Sequence, residues 1–329
     1  MTASSAPGKI ILFGEHAVVY GRPALAIPVT QVHADVEVTV SDRPGIWINA
    51  PEVNLHAELN SLPSDHPIPS VIHNFLFLAR VSPRFDYANA PLSATGRGGR
   101  GDGKFPNLEI KITSTIPVAS GLGSGAAVTV ALTRALSSHL DHPMTDEEVN
   151  AFAYEIEKIH HGTPSGIDNT VVTYAKPVYF VKGQPIETFT VGHPFNIVIG
   201  DTGLSAPTKE SVGDVRKLWE ADNVKWEGVF DRVGEIAGQA RTATESGEWK
   251  DLGALMNRNH ALLREMTVSS PELDTLVSAA VKAGALGAKL SGGGRGGNMI
   301  ALVEANQAGI IAKSLMQAGA RNTIITQVK

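Results

Sequence analysis

The chain has 329 residues, a length that suits about two domains and leaves enough volume for a buried core. Its 28 Lys and Arg residues against 33 Asp and Glu residues give a net charge of −5, which argues against a general attraction to nucleic acid or to an anionic membrane. Because there is no cysteine, the composition excludes disulfides, thiolate nucleophiles and cysteine-ligated metal sites. Any metal must bind oxygen or imidazole.

The first residues lack the charge and the apolar length of a secretory signal. No apolar run reaches the roughly 18 residues that a membrane span needs. We therefore expect a cytoplasmic protein that acts on a small molecule, with no nucleic-acid or membrane partner.

The first motif, PGKIILFGEHAVVYG, covers residues 7–21. We expect a Pro-Gly turn that places Lys9 at the entry of an apolar strand, followed closely by Glu15 and His16. An ammonium, a carboxylate and an imidazole around one short strand can form a catalytic or binding site. The alternative is a solvated lysine and a histidine that is hydrogen-bonded in the core, without a function in catalysis or binding.

The next predicted elements are strands and a helix. Residues 24–40 end in an alternation of apolar and polar residues that predicts a half-buried strand, and residues 46–49 and 108–116 predict two more. Residues 70–80 predict a helix that Ser70 opens. Residues 82–106 are rich in Pro, Gly, Ser and Arg, and segment 95–104 within them carries a net charge of +2.

The second motif, PVASGLGSGAA at residues 117–127, lies between a predicted strand and an apolar helix. Glycines let the backbone approach a ligand, and the N-terminus of the helix binds anions, so the motif suits a phosphate chain. The same residues match the dinucleotide pattern G-x-G-x-x-A through Gly121, Gly123 and Ala126, with Asp141 about 20 residues further on, which keeps a nicotinamide-dependent oxidoreductase open. The Walker pattern is absent.

A well-delimited helix is predicted before residue 162. Thr145 and Glu148 form a T-x-x-E capping box, and an apolar stripe follows at Val149, Phe152, Ala153 and Ile156. Glu157 lies in the last turns of this helix, and we expect Asp168 in the Gly- and Pro-rich loop after it. Two carboxylates near a phosphate loop suit Mg²⁺-assisted phosphoryl transfer, although Glu157 is equally typical of a solvated helix surface.

The third motif, KLSGGGRGGN at residues 289–298, lies among the last predicted elements. The pattern predicts helix 271–283, strand 287–291, strand 298–303, helix 305–318 and strand 322–328. Five of the six residues 292–297 are glycine. This indicates either that the backbone passes close to another group, which a side chain would block, or that the loop is an open hairpin tip.

In their order along the chain, the motifs at residues 7–21, 117–127, 161–169 and 289–298 resemble those of the GHMP kinase superfamily. Within it the chain is similar to the members that phosphorylate (R)-mevalonate, because AVVYG follows Glu15-His16 and because of the segment HGTPSGIDN. The resemblance implies an α+β, two-domain fold with the active site in the cleft between the domains. Residues 1–185 would be a ribosomal-protein-S5-domain-2-like domain that carries the phosphate and catalytic motifs. Residues 186–329 would be a ferredoxin-like domain that carries glycine loop 292–297.

The resemblance also implies the roles of individual residues, with ATP as phosphoryl donor and Mg²⁺ as metal. Asp168 corresponds to the catalytic aspartate, Lys9 to the lysine that interacts with it and with the substrate, and Glu157 to the Mg²⁺ ligand. Glu15, His16 and Thr208 would contact the alcohol substrate. The residues implied at the ATP phosphates are Pro117, Ser120, Gly121, Leu122, Gly123, Ser124, Gly125, Ala126, Gly293, Gly294 and Arg295. Similar kinases are often homodimers.

Three positions depart from the family pattern. Gly125 stands where a second serine is usual, so either Ser124 or water would complete the Mg²⁺ shell. Arg295 replaces a glycine, and Ala206 stands where many relatives have a basic residue near the phosphates. We expect Arg295 to restore that charge. Three alternative functions stay open. The first is a sister GHMP kinase that acts on another small alcohol, such as phosphomevalonate, a sugar or homoserine. The others are a nicotinamide-dependent oxidoreductase and a non-catalytic sensor.

Overall fold

The computed structural model describes residues 1–63, 66–81, 107–117, 121–161, 164–206 and 208–329. The basic segment 95–104 lies outside these residues. The chain divides into two compact units, each built from separate stretches. The first unit comprises Met1–Pro7, Val32–Ile116 and Ser124–Tyr174, and the second comprises Gly8–Gln31, Pro117–Gly123 and Ala175–Lys329. A domain division at residue 185 stays a prediction.

The first unit contains a mixed sheet. Its strands are the first part of β1 (Thr2–Phe13), the second part of β2 (Ala24–Val40), β3 (Ile46–Ala50), β4 (Leu55–Glu58) and β5 (Leu108–Ser114). The hydrogen-bonded order is β4–β3–β5–β2, with β3 parallel to β5 and the other two pairs antiparallel. The predicted alternation in β2 is confirmed from Val32 to Val38, which are buried at every second position, whereas Val40 at the strand end is exposed.

The α-helices in the described part of the first unit are α1 (Pro67–Val81), α2 (Ser124–His139), α3 (Asp146–His161) and α4 (Ile167–Tyr174). Helix α2 packs against the other three. The predicted start of α1 at Ser70 is wrong by three residues, because Pro67 occupies the first helical position, where its fixed φ is favourable. The backbone N–H of Ser70 already donates to the carbonyl of His66, 3.2 Å away.

The capping box of α3 is confirmed. The backbone N–H of Thr145 donates to the Glu148 carboxylate at 2.8 Å, and that of Glu148 donates to the Thr145 hydroxyl at 3.3 Å. Both bonds satisfy N–H groups that the first turn of a helix leaves without partners. The apolar stripe that follows is buried at all four positions.

The second unit holds an antiparallel sheet of β8 (Phe195–Asp201), β9 (Gly287–Ser291), β10 (Asn298–Val303) and β11 (Asn322–Val328). Its order is β11–β8–β10–β9, so that the first strand of the set lies between the fourth and the third. This order, with helices after the first and third strands, is that of a ferredoxin-like sheet. The strands predicted from residue 287 onward are confirmed.

The other elements of the second unit are short strands and helices. Strands β6 (Val178–Phe180) and β7 (Glu187–Thr188) extend the first part of β2. The helices are α5 (Thr208–Ala221), α6 (Asn223–Ser246), α7 (Trp249–Glu265), α8 (Pro271–Lys282) and α9 (Ala308–Gln317). Helices α7, α8 and α9 pack on the ferredoxin-like sheet. The helix predicted from residue 305 begins as a 3₁₀ turn, and α9 follows it. Within the described ranges, no helix has the length and apolar character of a membrane span.

The capping box gives a test of the first unit. Replacement Thr145→Ala removes the hydroxyl that accepts from Glu148, and we expect the free energy of unfolding to fall by about 1 kcal/mol. Urea titration followed by circular dichroism measures this. The matched control is Thr242→Ala on the exposed face of α6, which should be neutral or slightly stabilising. Equal stability of Thr145→Ala and the unmodified protein would contradict the role of the cap.

Candidate active site

Lys9 lies inside a strand. Strand β1 runs from Thr2 through Pro7 and Gly8 to Phe13, so the predicted Pro-Gly turn is wrong. Among the described strands β1 pairs only with β2, and a strand with an unpaired edge tolerates the missing N–H of proline. Lys9 is 5% exposed, and its backbone N–H donates to the carbonyl of Leu122 in the second motif at 2.9 Å.

Glu15 is fully buried in an ion pair that the sequence analysis did not find. Its carboxylate pairs with Lys289 on β9, and Asn259 on α7 donates to its other oxygen at 3.1 Å. The Lys289 ammonium also donates to the carbonyl of Leu290 at 2.6 Å. Burial lowers the pKa of Lys289, and the adjacent Glu15 opposes that shift. The available signal was a single charged residue in a strand whose other residues are small or apolar, and the structure shows that the whole strand is buried.

His16 has an unusual backbone and a defined protonation state. Its φ is 61°, a conformation that few non-glycine residues adopt. Its Nε2 lies 3.1 Å from the carbonyl oxygen of Gly293. Because a carbonyl only accepts, Nε2 carries the proton. Burial lowers the pKa of His16 to about 4, with a smaller contribution in the same direction from Arg295 and an opposing one from the Gly293 bond. His16 is thus neutral near pH 7, and its buried Nδ1 has no partner within the described residues.

The third motif packs tightly against the backbone of its own unit. The N–H of Arg295 donates to the carbonyl of Val268 at 2.8 Å, and that of Gly297 donates to the carbonyl of Leu204 at 2.9 Å. A Cβ atom on Gly294, whose φ is 75°, would lie 1.9 Å from the Val268 oxygen. The loop is therefore no open hairpin tip. The close approach that its glycines predict is an approach to protein backbone.

Arg295 is tied to α5. Its Nη1 donates to Asp214 at 2.6 Å and its Nε to the carbonyl of Thr267 at 3.3 Å. Lys217 donates to the other Asp214 oxygen at 2.8 Å, and these two hydrogen bonds, Lys217 first, lower the pKa of Asp214 to about 2. Thr208, exposed at the start of α5, lies against the same loop, because a Cβ on Gly293 would come within 2.7 Å of its hydroxyl.

Asp168 lies in a helix, which corrects the predicted loop position. It is the second residue of α4, where the helix dipole favours a negative side chain. Helix α4 is tied to α3, which carries Glu157, by a bond from the Asn169 amide to the Asn150 side chain at 2.7 Å. The sequence did not indicate this asparagine pair as a fixed link between the two helices.

The candidate site residues fall into two sets. The second unit holds Lys9, Glu15, His16, Pro117, Gly121, Leu122, Gly123, Thr208, Gly293, Gly294 and Arg295. The first unit holds Ser124, Gly125, Ala126, Glu157 and Asp168. Ser120 lies outside the described residues.

The residues of the first unit fit a phosphate and a hard cation. Helix α2 begins at Ser124, has no acidic residue in its first turn, and offers backbone N–H groups there that have no partner within the helix. A Cβ on Gly125 would meet nothing within 4 Å. The described residues contain no group of three or more His, Asp or Glu side chains able to hold a metal alone. Mg²⁺ at nucleotides needs only one or two protein oxygens beside phosphates and water, and Glu157 and Ser124 are of that kind.

Comparisons with known proteins agree with these features. The sequence profile of the GHMP kinases N terminal domain matches residues 90–176, and that of the GHMP kinases C terminal matches residues 240–321. The chain therefore belongs to the GHMP kinase family. The resemblance and the α+β fold expected from it are confirmed. Family membership excludes the nicotinamide-dependent oxidoreductase.

Similar proteins of known name narrow the class. The chain is 35% identical to the mevalonate kinase of Pyrococcus abyssi, over 93% of this chain and 90% of that protein. It is 34% identical to the mevalonate kinase of Thermococcus sibiricus, over 99% and 95%. The crystal structure of L. major mevalonate kinase in complex with R-mevalonate superimposes with a TM-score of 0.82 at 30% identity, covering 100% of this chain and 96% of that one. Lactococcus lactis galactokinase, at 19% identity and a TM-score of 0.73, shares the fold alone.

The packing of the third motif is testable at Gly294. Replacement Gly294→Ala forces a methyl group into the Val268 carbonyl, and we expect a loss of at least about 2 kcal/mol in the free energy of unfolding. Thermal and urea unfolding measure the change. The control is Gly238→Ala in α6, where an added Cβ meets nothing within 4 Å and should stabilise the helix. If both variants were equally stable, the tight loop packing would be refuted.

Proposed function

We propose that this protein transfers the γ-phosphoryl group of ATP to the C5 hydroxyl of (R)-mevalonate and forms 5-phosphomevalonate. The observation that carries the proposal is the similarity, over more than nine-tenths of the chain, to mevalonate kinases. Phosphoryl transfer relies on positioning and on stabilisation of charge. We therefore assign each residue either to the positioning of the two substrates or to the stabilisation of charge.

The phosphates of ATP bind at the start of α2. Backbone N–H groups of residues 121–126 surround the phosphate oxygens, and the positive end of the helix dipole favours their charge. The family resemblance also assigns Pro117, Ser120, Gly293 and Gly294 to the nucleotide site, although Ser120 lies outside the described residues. The open space at Gly125 supports a close approach of a ligand at this position.

The carboxylate of Glu157 would hold Mg²⁺, with Ser124 or water in place of the serine that Gly125 replaces. The bound ion would supply neutralisation of the charge on the ATP phosphates. The oxygen chemistry of both side chains supports this assignment, since Mg²⁺ prefers hard oxygen ligands.

Asp168 accepts or orients the proton of the attacking hydroxyl, and Lys9 supplies the cation for the carboxylate and the substrate. Asp168 lies in the first turn of helix α4. Lys9 is held within a strand, and its backbone bond to Leu122 joins it to the phosphate-binding motif.

The alcohol substrate binds near His16 and Thr208. Both residues lie against Gly293 of the third motif. Glu15 belongs to the same region through its position next to His16. A cytoplasmic location and a homodimer stay predictions from the sequence and the family.

An assay of ADP release with Mg²⁺ATP tests the proposed substrate. We expect release with (R)-mevalonate and not with phosphomevalonate, galactose or homoserine, because the similarity to mevalonate kinases extends over the whole chain. Release with only another alcohol would keep the kinase and overturn the substrate.

Asp168→Asn tests the proposed base. General base help is worth roughly 10²–10⁴-fold, so we expect kcat to fall at least about 10²-fold while ATP binding stays nearly intact. Steady-state kinetics and calorimetric ATP titration measure the two quantities. A smaller loss of kcat would reduce Asp168 to a positioning role.

Arg295→Gly tests whether this arginine compensates for Ala206. We expect a higher KM for ATP, because a cation near the phosphates is lost, with little backbone strain since glycine accepts the φ of 58°. Arg232→Ala, which breaks an exposed ion pair with Glu265 on another face, is the control. An unchanged KM for ATP in Arg295→Gly would show that the guanidinium serves only the bond to Asp214.

A further inference from the structure

We propose that Lys289 is a positioning residue for the alcohol substrate: by holding Glu15, it fixes the adjacent His16 so that Nδ1 accepts a hydrogen bond from a substrate hydroxyl. The inference rests on the proposed function for the identity of the alcohol. The contacts that carry it lie entirely within the second unit.

Each oxygen of the buried Glu15 carboxylate already has a hydrogen-bond partner. One carboxylate oxygen bonds to Lys289 and the other accepts from Asn259, and the residue is 1% exposed. A carboxylate in this state is poorly placed to act as a base or to bind a substrate directly. We expect it to act through the position of the adjacent His16.

Stability alone is a weak reason for this pair. The side chains of Glu15 and Lys289 are both 0% exposed. Replacing a buried ion pair by apolar residues of similar size is often neutral or stabilising, because the desolvation of two charges offsets their attraction. The pair joins the first motif to β9, the strand that leads into the third motif. This connection suits a role in holding the two motifs in position.

The residue that follows Glu15 has a strained backbone. His16 adopts a φ of 61°, and a residue in this region keeps its conformation only where its surroundings impose it. His16 caps the 3₁₀ turn Ala17–Tyr20, and its carbonyl accepts from the N–H of Val19 at 3.1 Å. On its two other sides, the buried Glu15 precedes it in the chain, and its own Nε2–H donates to Gly293. Strand β9 carries Lys289 and continues into the loop that contains Gly293. The same segment therefore holds both Glu15, through Lys289, and His16, through Gly293.

The imidazole of His16 keeps one ring nitrogen, Nδ1, that no described residue contacts by a hydrogen bond. With Nε2 protonated, Nδ1 is an acceptor, and it is buried with no partner in the part of the chain that the structure describes. A buried acceptor without a donor carries a penalty of roughly 1–3 kcal/mol, which a ligand O–H group removes. A carboxylate cannot do this, because it has no proton to donate. The arrangement therefore favours a ligand with a hydrogen-bond donor at this point, which the hydroxyl groups of mevalonate supply and its carboxylate does not.

The experiment uses three variants of the full-length protein: Lys289→Met, Glu15→Gln and the double variant Glu15→Met/Lys289→Met. We expect each to raise the KM for (R)-mevalonate at least about tenfold, the equivalent of one lost hydrogen bond, while the KM for ATP changes less than about twofold. The double variant leaves no unpaired buried charge, so it keeps the test valid if a single variant fails to fold. Lys282→Met, at an exposed lysine in the last turn of α8, is the control and should match the unmodified protein.

An NMR titration of the His16 ring separates positioning from direct electrostatics. Loss of the Lys289 cation by itself raises the pKa of His16, and loss of the Glu15 anion by itself lowers it. Release of His16 from its buried position instead moves the pKa in both variants from about 4 toward 6.5, because burial is the main cause of the shift. Arg295, the other charge that acts on this ring, is unchanged throughout.

A rise of the His16 pKa in both single variants, with the selective rise in mevalonate KM, supports the proposal. Opposite shifts in the two variants, or a mevalonate KM that is unchanged in any folded variant, overturns it. The titration needs no substrate, so a protein that proves inactive with mevalonate would refute the proposed function and leave the positioning role testable.

Discussion

The contact between the first motif and β9 depends on one buried ion pair, between Glu15 and Lys289. These side chains stand 274 positions apart in the chain, and neither reaches solvent. Because an isolated buried charge is strongly unfavourable, neither residue can leave the pair without a large penalty. The pair therefore fixes the first motif against β9, and through β9 it sets where the third motif begins. The strained His16 and its bond to Gly293 follow from that constraint.

The second and third motifs are rich in glycine for different physical reasons. In the third motif, glycine is required because the backbone passes against the carbonyls of Val268 and Leu204, so the loop is held by its own unit. In the second motif, Gly125 faces open space at the start of a helix, which is where an anion binds. Only the second pattern points directly to a ligand. The third shapes the surroundings of His16, Thr208 and Arg295.

Much of the fold was predictable because it depends on local patterns. The capping box of α3, the alternation of β2 and the strands from residue 287 onward express periodicity and turn chemistry that a short window contains. Two errors arose where longer-range pairing decides: β1 continues through Pro7 and Gly8, and Asp168 lies in a helix tied to α3 by Asn169. The wrong start of α1 had a local cause, the proline at its first position. The family and its fold came from motif order. The roles of Lys289 and Asn259 could not come from the sequence, since their meaning depends on a partner far away in the chain.

The central claim is that this chain phosphorylates the C5 hydroxyl of mevalonate, and NMR of the product tests it most directly. The unmodified protein is incubated with Mg²⁺ATP and (R)-mevalonate labelled with ¹³C at C5, and the product is observed by ³¹P and ¹³C spectroscopy. The account predicts a new phosphate monoester whose phosphorus couples to the labelled carbon. A product that lacks this coupling, or labelled mevalonate that is recovered unchanged, would contradict it.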